Sequence, residues 1–157
     1  MVETKAPIYM VATANDVNKL APELVSRFDD VFWCDLPNQK AREEILTLHL
    51  AKREQNTSSF NVKEIAESMW GYTGREIEKV VKAALELAFF KKQELQSQHL
   101  FQATSEVVPI SEAMHEKIER LRAWAKTHRA RIASEPIESK PTSSHQSAGR
   151  VFEDETI

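Results

Sequence analysis

The chain has 157 residues and a net charge of −3, and 41% of its residues are hydrophobic. This length suits one domain or two small ones, and the slightly negative charge argues against a protein that coats nucleic acid. No signal-peptide pattern opens the sequence and no run of about 18 apolar residues is present, so we predict a soluble, cytoplasmic protein.

Two short apolar runs in residues 1–37 predict strands that are buried on both faces, as in a parallel sheet. The first run, in APIYMVATAN, ends in small polar residues, and the second, VFWCDLP, is closed by Pro37. Cys34 is the single cysteine and lies in the second run, so we expect its thiol to be buried and reduced. Two strands are too few for a sheet that stands alone. This part therefore predicts the end of an α/β domain whose beginning is missing.

The next part of the chain carries start signals for four helices. Asn38 and Asn61 are good N-cap residues. Thr73 is followed three residues later by Glu76, which predicts a capping box, and we expect Ser97 to cap the fourth helix. The spacing of about 3.6 residues predicts one apolar face on the first helix and one on the third. The predicted face of the first helix contains Ala41, Ile45 and Leu48. The predicted face of the third contains Ile77, Val80, Val81, Ala84, Leu85 and Ala88.

The C-terminal part predicts one more amphipathic helix and then a disordered tail. Pro109 and Ser111 mark the start of the helix, and the segment from Ser134 onward is rich in Ser, Pro, Glu and Thr. Basic side chains on the helix permit contact with an acidic partner, but nearby glutamates favour a solvated helix with ion pairs four residues apart.

No phosphate-binding P-loop occurs in these residues. The chain has three glycines, and none is followed by the Gly-Lys-Ser/Thr sequence that completes such a loop. A cradle of backbone N–H groups for phosphate needs glycines at fixed positions. We therefore expect this chain alone not to hydrolyse a nucleotide.

Four segments in register resemble the AAA+ ATPases: VATAND, PELVSRFDDVFWCDLP, REEILTLHL and GYTGREIEKVV. The match covers roughly residues 5–131. The sequence VPISEAMHEKIERLRAWA makes the chain most similar to the AAA proteins of cyanobacteria and of hypothetical chloroplast reading frames. The resemblance implies an α/β remnant with the last two strands of a parallel P-loop-type sheet, followed by an all-α four-helix lid, an extra helix and a disordered tail. It places these parts at residues 1–37, 38–108, 109–133 and 134–157.

The resemblance also implies roles for three polar residues. Asn15 ends the first predicted strand, at the sheet edge where ligands bind in open α/β folds, and would be the sensor 1 residue that orients the attacking water. Arg27 would be the arginine finger, which stabilises the phosphoryl group bound by the neighbouring subunit. Arg75 would be the sensor 2 arginine, at a helix N-terminus that favours phosphate.

Each assignment has an ordinary structural alternative. Asn15 can simply cap a loop, and Arg27 can be a solvated arginine paired with Asp29 or Asp30. Arg75 can be an exposed residue of a first helical turn, although cations are disfavoured there. Many AAA+ relatives carry two arginines before the second strand, and this chain has only Arg27.

The resemblance further implies an adenine pocket lined by Ile45, His49 and Gly74. Ile45 and His49 are four residues apart and share one helix face, so the alternative is that both belong to the core. The other histidines lack metal-ligand spacing, and no metal site is predicted. In the related ATPases Mg²⁺ is held together with ATP by P-loop and Walker B residues, which this chain does not contain.

The sequence thus predicts part of an AAA+ ATPase that binds and hydrolyses ATP in a ring, expected to be a hexamer. Its partners would be other AAA+ subunits and an unknown protein substrate, without nucleic acid or membrane, in the cytoplasm or a plastid stroma. The start at Met1 suggests a fragment or a truncated gene product. The alternative is a non-catalytic helical protein-interaction module derived from an AAA+ protein, which would bind its partner through Leu121 or Trp124.

Overall fold

The computed structural model describes residues 9–139 of the 157. These residues form two compact units, one made of residues 9–35 and 114–134 and the other of residues 36–113 and 135–139. The first unit contains helices α1 (Pro22–Val25) and α7 (His115–Thr127) and strands β1 (Phe32–Trp33) and β2 (Arg131–Ile132). The second contains helices α2 (Gln39–Ala51), α3 (Val62–Ser68), α4 (Gly74–Phe90), α5 (Ser97–Glu106) and α6 (Ile110–Ala113). Single 3₁₀ turns lie at Val17–Lys19 and Thr57–Ser59.

The first unit contains a two-stranded parallel sheet. Phe32 of β1 lies opposite Arg131 of β2, and the backbone N–H of Arg131 donates to the carbonyl of Val31 at 2.8 Å. Helix α7 buries Leu121 and Ala125. Two ion pairs connect α7 with the N-terminal segment: Arg122 with Asp35 at 2.8 Å and Lys117 with Asp16 at 3.1 Å.

The parallel two-stranded sheet confirms the predicted sheet type, but one of its strands is not the predicted one. Residues 9–14 are not in a strand, and Tyr9, Met10 and Val11 are largely exposed. A strand needs a hydrogen-bonded neighbour, and among the described residues none pairs with this segment. The second strand comes instead from residues 131–132, which were predicted to be helical. Cys34 is exposed, contrary to the prediction, because two short strands bury neither face.

The second unit has one hydrophobic core between helices α2, α3, α4 and α5. The predicted helix starts are confirmed at Asn38, whose side chain accepts from the N–H of Ala41 at 2.9 Å, at Asn61 and at Thr73. Helix α5 begins at Ser97, but its N-cap is Gln96. Fully buried side chains of this core are Leu46, Leu50, Ile65, Met69, Ile77, Val80, Val81 and Leu100.

The buried face of α2 differs from the predicted one. It consists of Arg42, Leu46 and Leu50, while Leu48 is 50% exposed. The predicted face of Ala41, Ile45 and Leu48 did not include Arg42 and is displaced from the observed one. Arg42 is buried because backbone carbonyls and polar side chains surround its guanidinium group, so the charge does not require water.

The segment after α5 also departs from the prediction of one helix over residues 109–133. Helices α6 and α7 are separate, because Met114 leaves the helical conformation (φ −130°, ψ 32°). Arg129 then has a φ of 52° and ends the helical segment before β2. Of the predicted disordered tail, residues 134–139 are described and hydrogen-bonded through Ser134 and Glu138, and residues 140–157 lie outside the described part of the chain.

None of the helices within residues 9–139 is both long and apolar enough to cross a membrane.

Candidate functional site

The start of α4 lies against α2, and this contact brings Gly74 and Ile45 together. A Cβ atom added to Gly74 would lie 3.6 Å from Cδ1 and 3.8 Å from Cγ2 of Ile45. Ile45 is half-buried at the border of the core. The absence of a side chain on Gly74 therefore leaves space beside an apolar side chain, at the beginning of a 17-residue helix.

A capping box fixes the first turn of α4. The hydroxyl of Thr73 accepts from the N–H of Glu76 at 3.3 Å, and Glu76 accepts from the N–H of Thr73 at 2.8 Å. The second carboxylate oxygen of Glu76 accepts from the N–H of Ile110 at 2.8 Å. Among the described residues, the backbone N–H groups of Gly74 and Arg75 have no acceptor. The positive end of the helix thus presents two free donors to an anion.

Arg75 is exposed on this first turn and makes no ion pair within residues 9–139. Its guanidinium group lies on the same turn as the two free N–H donors. Together they concentrate positive charge at one helix end, which is an arrangement suited to phosphate.

His49 follows Ile45 by one turn on α2 and is half-buried. Its Nδ1 atom is buried and has no hydrogen-bond partner in the described part of the chain. Burial lowers the pKa of His49 below the ordinary value of 6.5, against the opposing charge of Glu78. The cations Arg53, Lys52 and Lys82 lower the pKa further. At neutral pH His49 is therefore an uncharged imidazole.

The lowered pKa of His49 predicts a pH dependence of stability. The unfolded chain binds a proton at His49 near pH 6.5 and the folded chain binds it only at lower pH, so the free energy of unfolding should fall as pH drops below about 6.5. We expect urea unfolding between pH 7.5 and 5 to show this loss in the wild-type chain and a smaller loss in His49→Gln. Equal losses in both chains would contradict the assignment, and His115→Gln, an exposed histidine, serves as the matched control.

Asn15 and Arg27 belong to the other compact unit, and both are exposed. Asp16, not Asn15, caps the following 3₁₀ turn by accepting from the N–H of Asn18 at 3.2 Å. Arg27 follows α1 and makes no ion pair with another described residue, since Asp30 pairs with Arg131 at 3.1 Å. Within the described residues Arg27 is thus a solvated arginine without the considered pairing to Asp29 or Asp30, and Asn15 is not the cap of this turn. Their functional roles stay predictions.

Two features of the second unit were missed by the sequence reasoning. One is buried Arg42, whose position four and eight residues before Leu46 and Leu50 was a readable signal that it lies on the core face. The other is the close approach of Gly71 to Ser111, for which the sequence carries no signal. No group of three His, Cys, Asp or Glu side chains in the described residues is arranged to hold a metal ion.

The fold of the chain is similar to that of a known class of protein. The structure is similar to the crystal structure of the FIGL-1 AAA domain in complex with ADP, with a TM-score of 0.61 and 17% sequence identity over 70% of this chain and 41% of that chain. At this identity the similarity shows the fold, namely that of part of an AAA domain. The predicted combination of a sheet remnant with a helical lid is therefore confirmed.

Relatives of known sequence give the more particular assignment. The chain is 36% identical over 135 residues to the "Uncharacterized AAA domain-containing protein ycf46" of Pyropia yezoensis, and 35% identical to that of Guillardia theta. Each match covers 84% of this chain and 27% of the relative. It is also 33% identical over 104 residues to the ATP-dependent zinc metalloprotease FtsH 2 of Sphaerobacter thermophilus, covering 64% of this chain and 16% of that protein. No family model matches. The resemblance to AAA+ proteins, and to the ycf46 proteins among them, is confirmed for a chain that spans about a quarter of these ycf46 relatives.

Proposed function

We propose that this chain is the lid-bearing part of an AAA+ ATPase, which binds ATP and uses its hydrolysis to rearrange subunits in a ring. Its support is the combination of the AAA relatives, the ADP in the complex of the FIGL-1 domain, and the helix-end site at Gly74. When bound, ATP supplies the phosphoanhydride bond whose cleavage drives the rearrangement. Because the 157 residues contain no P-loop, we expect hydrolysis to require phosphate and Mg²⁺ ligands from outside this sequence.

The observation that carries this proposal is the placement of Gly74 against Ile45 beside free N–H donors. Gly74 has no side chain next to Ile45, so an apolar surface is open to a base at this place, and His49 lies one turn further along the same helix as Ile45. The cationic Arg75 and the N–H groups of the first turn favour the phosphates. These residues therefore bind and orient the nucleotide, and Arg75 transmits its state to the lid.

Two residues of the first unit act on the reacting phosphate in this proposal. Asn15 has an amide that can hold a water molecule, and Arg27, which makes no ion pair with another described residue, has a guanidinium group that can act on a neighbouring subunit. Ring partners are thus other AAA+ subunits. We place the protein in the cytoplasm or in a plastid stroma, and the similarity to the ycf46 proteins is the support for the latter.

The interaction-module alternative has less support. Leu121 is only 8% exposed and is buried within its own unit, and Trp124 stacks on His128 with ring centroids 4.3 Å apart. Both side chains are thus engaged inside the chain.

The substitution Gly74→Ala should weaken nucleotide binding without lowering the stability of the fold. The added methyl group would meet Ile45 only at ordinary contact distance, and alanine is a better helix former than glycine, so the unfolding free energy should stay equal or rise. In the complete gene product we expect the affinity for a fluorescent ADP analogue to fall about tenfold, because the methyl group occupies space meant for the base. The control is Ser97→Ala, at the start of α5. Unchanged ADP affinity in a folded Gly74→Ala protein would refute the site.

A further inference from the structure

Residues 135–138 belong to the second unit, where Glu138 is held by hydrogen bonds from three residues. The carboxylate of Glu138 accepts from the backbone N–H of Gln39, the first residue of α2, at 2.9 Å. It also accepts from the guanidinium group of Arg42 at 2.6 Å. The indole N–H of Trp70, after α3, donates to the backbone carbonyl of Glu138 at 3.1 Å.

The cation that pairs with Glu138 is a buried arginine: Arg42 is only 1% exposed. Its other hydrogen bonds go to the carbonyl oxygens of Ala66 and Pro37 and to the side-chain oxygen of Gln39, at 2.9, 3.0 and 2.7 Å. All three acceptors are uncharged. Within the described residues Glu138 is the one anion that pairs with Arg42. A buried charge without a counter-ion is strongly unfavourable, so this site requires a carboxylate or an equivalent anion.

The bound carboxylate remains accessible, unlike its partner. The side chain of Glu138 is 38% exposed, whereas that of Arg42 is 1% exposed. Arg42 is therefore part of the packed core. The carboxylate of Glu138 lies at the surface, on a segment without regular secondary structure. The segment can therefore be replaced only by another one that supplies an anion to Arg42.

We propose that the N-terminal end of α2, with Arg42 and Trp70, is a binding site for a carboxylate-bearing chain segment. It is occupied by this chain's own residues 135–138, and an acidic segment supplied in trans can take their place. Because the site lies apart from Gly74 and uses other donors, the inference does not depend on nucleotide binding.

The test uses the full 157-residue chain with Glu138→Ala and a synthetic peptide with the sequence of residues 134–139, SEPIES. The ¹H–¹⁵N signal of the Trp70 indole reports on the site, since its acceptor is the carbonyl of residue 138. We expect Glu138→Ala to shift this signal, and the added peptide to return it toward its wild-type position. The peptide SEPIQS, which lacks only the second carboxylate, should bind at least about tenfold more weakly.

Glu135→Gln is the matched control, because Glu135 lies on the same segment and its hydrogen-bond partner within residues 9–139 is the amide of Asn38, which donates to it at 3.1 Å. It should leave the Trp70 signal in place. Equal binding of the two peptides, or an unchanged Trp70 signal in Glu138→Ala, would overturn the proposal. If Glu138→Ala does not fold, Glu138→Gln keeps the shape of the side chain without its charge, and the same outcomes apply.

Discussion

Replacing Arg27 with alanine is expected to lower ATP turnover of the assembled, P-loop-containing protein by about 10³- to 10⁵-fold. Arg27 is exposed and has no ion pair among the described residues, so its charge is free to act on a phosphoryl group. Binding of ADP should change little, since the arginine acts mainly on the charge that develops during transfer. Steady-state phosphate release and equilibrium ADP binding measure the two effects separately.

Mixed rings test whether Arg27 acts in trans. Subunits with Arg27→Ala keep a wild-type Asn15, and subunits with Asn15→Ala keep a wild-type Arg27. If each ATP site takes Asn15 from one subunit and Arg27 from its neighbour, an equal mixture should regain activity at about a quarter of the sites. No recovery in mixed assemblies would mean that both residues act on the same subunit's nucleotide.

The control for both experiments is Arg120→Ala, because Arg120 is also an exposed arginine of the first unit and donates only to the backbone carbonyl of Glu116. Its turnover should match the wild type. Normal turnover in Arg27→Ala would exclude the finger role, whatever the behaviour of Asn15.

Gly71→Ala is expected to lower the free energy of unfolding by about 2 to 4 kcal/mol. Gly71 has a φ of +81°, a conformation that disfavours residues with a Cβ atom. An added Cβ would lie 2.0 Å from the Oγ and 2.8 Å from the Cβ of Ser111, which is itself buried in α6. Both distances are far shorter than a van der Waals contact, so the backbone must move. Urea unfolding followed by circular dichroism measures the loss.

A second substitution distinguishes the steric contact with Ser111 from the unfavourable backbone conformation at residue 71. Ser111→Gly removes both atoms that the new methyl group would meet, so the double variant should recover the steric part and keep the backbone part of the loss. Ser111→Ala alone should be close to neutral, because the Oγ of Ser111 is buried without a hydrogen-bond partner among the described residues. A double variant as unstable as Gly71→Ala would show that the contact with Ser111 does not matter.

Local signals explain what the sequence predicted correctly. The N-caps at Asn38 and Thr73 are contacts between residues three apart, so the residue types alone indicate the helix starts. Periodicity likewise predicted the buried positions of α4, where Ile77 and Val80 are fully buried. In the candidate site, the family resemblance predicted that Ile45, His49 and Gly74 line an adenine pocket, and a Cβ added to Gly74 would contact Ile45.

Long-range contacts explain what the sequence did not predict. Strand β2 was read as helix because its strand conformation depends on β1, which lies far earlier in the chain. Arg42 is separated by 96 residues from Glu138, the partner that makes its burial possible. Neither the pairing of β1 with β2 nor that of Arg42 with Glu138 produces a local sequence pattern. The exposure of Tyr9 and Met10 has the same origin, since a strand-like sequence forms a strand only where another strand pairs with it.

The pairing of β1 with β2 determines which of the two units we expect to fold first. Asp35 and Ser134, which flank the two strands, are 99 residues apart, and parallel strands cannot form a tight hairpin. Closing so long a loop in an unfolded chain is entropically unfavourable, whereas the contacts within helices α2 to α5 join segments that are closer in sequence. Once the helical unit has folded, the effective length of that loop is much shorter. The last unit to fold is then the one that begins first in the sequence, and its sheet forms only after residues 131–132 have been synthesised.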